Sequence, residues 1–118
     1  ITTNINANLE SEEYKSFKRV FNLYRIEHYN LIKILQKTYA PQVIVLFGSF
    51  AKGEDIEGSD IDLFLISNKK EKINLLKYEK IFNRSINLHI LQSLHKSSSI
   101  FKNGLVNGIL LHGYLKVI

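Results

Sequence analysis

Gly48, Ser49, Asp60 and Asp62 are the residues in this 118-residue chain whose types and spacing could do chemistry together. Asp60 and Asp62 alternate with Ile61, Leu63 and Leu65 in an apolar run. Residues two apart on an extended strand share a face and lie about 7 Å from each other, so both carboxylates point one way. Two like charges placed so are costly unless a cation stands nearby. Mg2+ takes oxygen ligands, commonly one or two protein carboxylates completed by substrate phosphates. Ahead of the acids, Val43 to Phe47 is a β-branched and aromatic run that stops at Gly48, and Ser49 opens a short helical turn. The first amides of a helix lack partners within it, and glycine lets an anion approach the backbone. Gly48-Ser49 therefore reads as a phosphate seat and Asp60-x-Asp62 as a metal seat, and each explains the other.

The elements that must position these residues follow from periodicity. Val43–Phe47 and the Asp60–Ile66 stretch read as two strands. Ser85 to Leu91 reads as a third, with Ile86, Leu88 and Ile90 on one face and Asn87 and His89 on the other. Before the first strand, Ile1 to Asn8 reads as a polar tail. Ser11, followed by Glu12 and Glu13, is a plausible helix start, because a side-chain oxygen can cap free amides and acids favour the positive end. Tyr14, Phe17, Phe21, Tyr24, Tyr29, Ile32 and Leu35 then recur at helical spacing, which predicts one or two helices with those residues buried and His28 packed among them. Pro41 ends the helical region. Ser67 to Lys72 reads as a charged turn, and Ile73, Leu76, Ile81 and Phe82 suggest a short helix. From Gln92 the pattern turns helical again, with Leu94, Ile100, Phe101, Leu105, Val106, Ile109 and Leu110 inward and Gly104, Gly108 and Gly113 as breaks.

Composition bounds the rest. A chain of this length, 45% hydrophobic, can bury one modest core. We expect one domain, made of a helical segment over 1–40 and a core over 41–118. Cysteine is absent, which excludes disulfides, thiolate catalysis and the usual structural zinc sites. No run is long and apolar enough to cross a bilayer and no leader is visible, so the expectation is a cytoplasmic protein with no membrane partner. The net charge of +5 favours anionic partners, although lysines on solvated helix faces account for most of it. The chain does not begin with methionine, so a segment upstream is expected.

Gly48-Ser49, ten intervening residues, then Asp60-x-Asp62 resembles the signature of the DNA polymerase beta-type nucleotidyltransferase superfamily. The short chain and the GSFAKG opening most resemble its minimal, archaeal-like members. The resemblance implies an α/β fold, a small mixed sheet of about four strands with helices on one side. It also implies transfer of a nucleotide, AMP above all, from a nucleoside triphosphate to an acceptor hydroxyl with one or two Mg2+ ions. By the same resemblance Gly48 and Ser49 would hold the β- and γ-phosphates, Lys52 would offset their charge or be a solvated lysine, Gly53 would permit the turn, and Ser59 would cap or brace the aspartate strand. Asp60 and Asp62 would hold the metal. Active family members carry a third carboxylate on the neighbouring strand, and here that strand offers Asn87 and His89 instead. His89 could take the part of the missing base. Relatives of this kind are commonly paired with a small helical HEPN protein as toxin and antitoxin, so such a partner is implied. A second reading is a lapsed nucleotide-sensing module, joined to nucleic acid only through an upstream winged helix-turn-helix domain. A third is oligomeric scaffolding through the aromatic helix before Pro41.

Overall fold

A computed structural model describes residues 3–93 and 107–113, with side chains from residue 11 onward. Two helices come first, α1 (Thr3–His28) and α2 (Leu31–Tyr39), followed by β1 (Val43–Phe47) and the one-turn α3 (Gly48–Lys52). β2 (Ile61–Ile66), α4 (Leu76–Phe82), β3 (Ile86–Leu91) and β4 (Ile109–Gly113) complete the described elements. The strands form one mixed sheet in the order β3-β2-β1-β4, with β1 antiparallel to both neighbours and β2 parallel to β3. This is the four-stranded mixed sheet that the family resemblance implies.

Alternation along the strands sorts the two faces. Ile44 and Leu46 of β1 and Ile61, Leu63 and Leu65 of β2 pack under the helices, against Ile26, Leu31, Leu35, Phe50 and Phe82. Val43, Val45, Phe64 and Ile66 form a smaller cluster on the other face. Asp62 shares that second face, because it alternates with the helix-facing residues of β2. Among the described residues no helix is long and apolar enough to cross a membrane.

Several expectations need correction. The helix predicted from Ser11 begins at Thr3, so the polar start is helical rather than a tail. No glycine or proline precedes Ser11, and extending an existing helix by one residue costs little. The helical region does break once, at Asn30, which takes the left-handed conformation (φ 62°). More consequential is the aromatic stripe of α1. Tyr14, Phe17, Phe21, Tyr24 and Tyr29 were expected inside, yet all are exposed, Phe17 by 78%. The buried side of α1 is instead set by Asn22 and Ile26. His28 is likewise exposed, stacked on Tyr24 and edge-on to Tyr29.

At the other end of the chain, Ile109 and Leu110 lie on β4 and not on a helix. A three-residue apolar run, Ile109 to Leu111, is too short for periodicity to separate strand from helix. Leu94, Ile100, Phe101, Gly104, Leu105 and Val106 lie outside the described residues. His112, for which the sequence offered no partner, has its Nδ1 2.8 Å from the amide nitrogen of Gln36.

Candidate nucleotide and metal site

β1 ends where α3 begins, and the antiparallel pairing of β1 with β2 sets Phe47 opposite Asp62. The next residue, Gly48, therefore lies against the Asp62 carboxylate. A Cβ on Gly48 would stand 2.8 Å from Asp62 Oδ2, and its φ of +78° is one that residues with side chains rarely adopt. Glycine is required here on both counts, backbone conformation and close approach. The proposed phosphate turn and one of the two acids thus lie side by side, with no room for a side chain between them.

Asp60 immediately precedes β2, whose first amide, that of Ile61, donates to the carbonyl of Ser85. Parallel pairing of β2 with β3 sets Asn87 beside Asp62 and His89 beside Phe64. The side-chain amide of Asn87 donates to Asp60 Oδ2 at 3.0 Å and to Asp62 Oδ1 at 3.1 Å. Both carboxylates therefore converge on one amide, that of Asn87. His89 Nε2 lies 3.9 Å from Asp62 Oδ1, and its ring is half exposed over Phe47 and Phe64, which stack at 4.1 Å.

The donor set suits a hard divalent cation. Asp60 and Asp62 supply oxygens only, and both accept from the same Asn87 amide, so they face one shared point. Among the described residues no group of three or more His, Asp or Glu side chains is gathered closely enough to hold a metal. Two protein carboxylates plus substrate phosphates is the arrangement by which Mg2+ is commonly held.

The remaining candidates are placed less centrally. Lys52 is exposed at the end of α3. Gly53 caps that helix with φ +69°, and a Cβ there would collide with the backbone of α1 at Lys15 and Arg19, so its position serves helix packing as well as the turn. Ser59 Oγ accepts from the amide of Ile56 at 2.9 Å and so braces the connection leading to Asp60.

Sequence reading missed Asp55. It lies in the acidic stretch Glu54 to Gly58, yet its side chain is only 1% exposed. Asp55 accepts from Asn22 Nδ2 at 2.9 Å and pairs with Arg84 at 3.1 Å and Lys18 at 3.4 Å, while Lys18 also donates to its carbonyl. Asn22 donates in addition to the carbonyl of Phe50 at 3.0 Å, so one buried network ties α1 to the start and the middle of the connection between Gly48 and Asp60. Removing one member of a buried ion pair leaves the others uncompensated. Asp55→Ala should therefore cost about 3 kcal/mol in a urea titration, far more than removing an exposed acid. The available signal was chemical: Asp55 is flanked by exposed Glu54 and Ile56, but only the fold shows which acid of that run turns inward.

Residues 29–114 match the family described as Polymerase beta, Nucleotidyltransferase. The protein named "Putative protein adenylyltransferase MJ1379" of Methanocaldococcus jannaschii is 37% identical over 70 residues, 53% of this chain and 70% of that protein. Among solved structures, a toxin-antitoxin complex with AMP-PNP superposes with a TM-score of 0.56 at 23% identity, covering 73% of each chain. The tri-AMPylated Shewanella oneidensis HEPN toxin in complex with MNT antitoxin superposes with a TM-score of 0.51 at 21% identity, covering 76% of this chain and 72% of that one. At these identities the structural likeness establishes the fold. The family match over most of the chain, the archaeal relative and the shared fold together place this protein in the polymerase beta-type nucleotidyltransferase family, whose minimal members its signature and short length resemble.

Proposed function

We propose that this nucleotidyltransferase moves AMP from ATP to a hydroxyl on a partner protein, in the manner of a minimal antitoxin acting on a helical HEPN toxin. The observation that carries the proposal is the contact of Gly48 with Asp62, together with the convergence of Asp60 and Asp62 on Asn87. The name of the archaeal relative supports adenylyl transfer, and the AMPylated toxin in the Shewanella complex supports a protein acceptor. Ser49 and the amides at the start of α3 would hold the β- and γ-phosphates, with Lys52 at the far end of that turn offsetting charge.

Asp60 and Asp62 would hold Mg2+, which when bound supplies charge neutralisation for the α-phosphate and for pyrophosphate as it leaves. The acceptor oxygen attacks the α-phosphorus, the bond from that phosphorus to the bridging oxygen breaks, and pyrophosphate departs with the electron pair. The hydroxyl proton must go to a base. His89 is placed for this, half exposed beside Asp62, and a neutral imidazole accepts protons near neutral pH. If it does so, His89→Gln should lower the transfer rate by about a hundredfold or more, the usual contribution of a positioned general base, and leave ATP binding unchanged. An unchanged transfer rate would remove His89 from the chemistry.

One observation favours a second reading, a nucleotide-binding regulator with little turnover. Asn87 offers an amide where a third carboxylate would strengthen the metal site. Incubation with labelled ATP, Mg2+ and extract from the host cell distinguishes the two. Label transferred to protein supports the enzyme, and saturable ATP binding without transfer supports the regulator.

A further inference from the structure

Asp60 and Asp62 reach their common point by different means. Asp62 lies within β2, where pairing with β1 on one side and β3 on the other fixes it. Asp60 stands at the end of a loop. From Glu54 to Asp60 the residues Glu54, Ile56, Glu57, Gly58 and Asp60 are exposed, Ser59 is half-buried, and Asp55 alone is buried. The loop that delivers Asp60 therefore has one inward anchor.

From that anchor a chain of bonds returns to Asp60 from the other side. Asp55 Oδ2 accepts from Arg84 Nη2 at 3.1 Å, the next residue is Ser85, and the Ser85 carbonyl accepts from the amide of Ile61 at 2.8 Å. Asp55 to Ile61, closed by Ser85 and Arg84, thus form a ring with Asp60 on its rim. Two bonds tighten it from within, the Ser59 amide to the Ile56 carbonyl and the Ile56 amide to Ser59 Oγ, both at 2.9 Å. Its far side is moored twice. Asn22 and Lys18 of α1 hold Asp55, while Glu79 of α4 accepts from the amide of Arg84 at 3.2 Å and, through Oε2, from that of Ile86 at 2.8 Å.

We infer that Asp55, acting through Arg84, is the positioning residue for Asp60, and that the ring sets how firmly the two acids grip a divalent cation. The inference rests on the metal reading of Asp60 and Asp62 given above. A carboxylate on a free loop must be ordered when the cation binds, and a loop already closed has met that entropic cost in folding. An apolar side chain at position 55 would anchor the loop as well or better, since buried ion pairs add little stability over a packed apolar residue. The paired carboxylate adds direction instead. It ties the loop to the segment that leads into β3, the strand carrying Asn87, so Asp60 and the amide it meets are set from one frame.

The test uses the whole chain, at a temperature where circular dichroism shows every variant folded, and measures ATP affinity with and without Mg2+. Asp55→Asn keeps the volume and removes the charge, and Arg84→Lys keeps the charge but offers an ammonium in place of a planar fork. Each should leave Mg2+-free ATP binding within about twofold of wild type and cut the affinity gained from Mg2+ by about tenfold or more, the usual cost of losing a bond behind a metal ligand. Leu35→Ala is the control, because Leu35 is buried on α2 and takes no part in the ring. It should lower the melting temperature and keep the Mg2+ gain. In NMR spectra the Asn87 side-chain amide signals, identified by their loss in Asn87→Asp, should move in both ring variants and not in Leu35→Ala. A full Mg2+ gain with unmoved Asn87 signals in the ring variants would overturn the inference, as would equal changes in Leu35→Ala. Asn87 signals that move in the ring variants, in a protein whose wild type gains nothing from Mg2+, would uphold the ring's hold on Asp60 and dispose of the metal reading instead.

Discussion

Asp60→Asn combined with Asp62→Asn is expected to lower nucleotide transfer by about a thousandfold or more. Metal-assisted neutralisation of phosphate charge is worth several kcal/mol, and each 1.36 kcal/mol is a decade in rate. The double variant should still fold. Asp60 is exposed and Asp62 partly so, and neither belongs to the packed core. Two asparagines beside Asn87 also keep hydrogen-bonding capacity, so the melting temperature without metal should change little. The informative comparison is ATP binding with and without Mg2+. Wild type should gain affinity on adding the ion, and the double variant should not. Undiminished transfer by the double variant would dispose of the metal assignment, whatever else the fold implies.

Asn87→Asp should act in the opposite direction, and its effect should change sign with the ion. Without a divalent cation the substitution loses two hydrogen bonds, at 3.0 and 3.1 Å, and sets a third carboxylate against Asp60 and Asp62. That should destabilise the protein by about 1 to 3 kcal/mol, since each carboxylate loses its amide donor and gains a like charge. With millimolar Mg2+ the same three carboxylates should bind the ion more tightly than wild type. The melting temperature should then recover or exceed that of wild type, and transfer, if metal occupancy limits it, should rise about tenfold or more. Thermal melts of both proteins with and without the ion read this out before any acceptor is known. A variant that is destabilised equally under both conditions would show that Asn87 does no more than brace the two acids.

The site was legible in the sequence because its chemistry is local. Gly48-Ser49 follows β1 and Asp60-x-Asp62 leads into β2, adjoining strands joined by one connection, so strand alternation alone puts the acids on one face and the turn at one end. Asn87 and His89 could be aligned with them for a similar reason, since β3 alternates cleanly. Burial on α1 was not legible. Helical spacing reveals that Tyr14, Phe17, Phe21 and Tyr24 share a side, but whether that side meets the sheet or the solvent depends on how the helix is rotated, which Asn22 and Ile26 decide through contacts far away in sequence. Asp55 was hidden for the same reason, because its partners Asn22, Lys18 and Arg84 come from α1 and the approach to β3. β4 was misread because ILLH between two glycines is compatible with either period.

The absent side chain at Gly53 has a mechanical meaning. Backbone meets backbone where α3 ends against α1 at Lys15 and Arg19, with no rotamer between them to yield. The single turn that starts at Gly48 is thus closed in at both ends, by the Asp62 carboxylate at Gly48 and by the backbone of α1 at Gly53. A residue larger than glycine at either end would have to push aside a wall that has no side-chain freedom to spare, so the turn's place between α1 and β2 is fixed by two missing side chains.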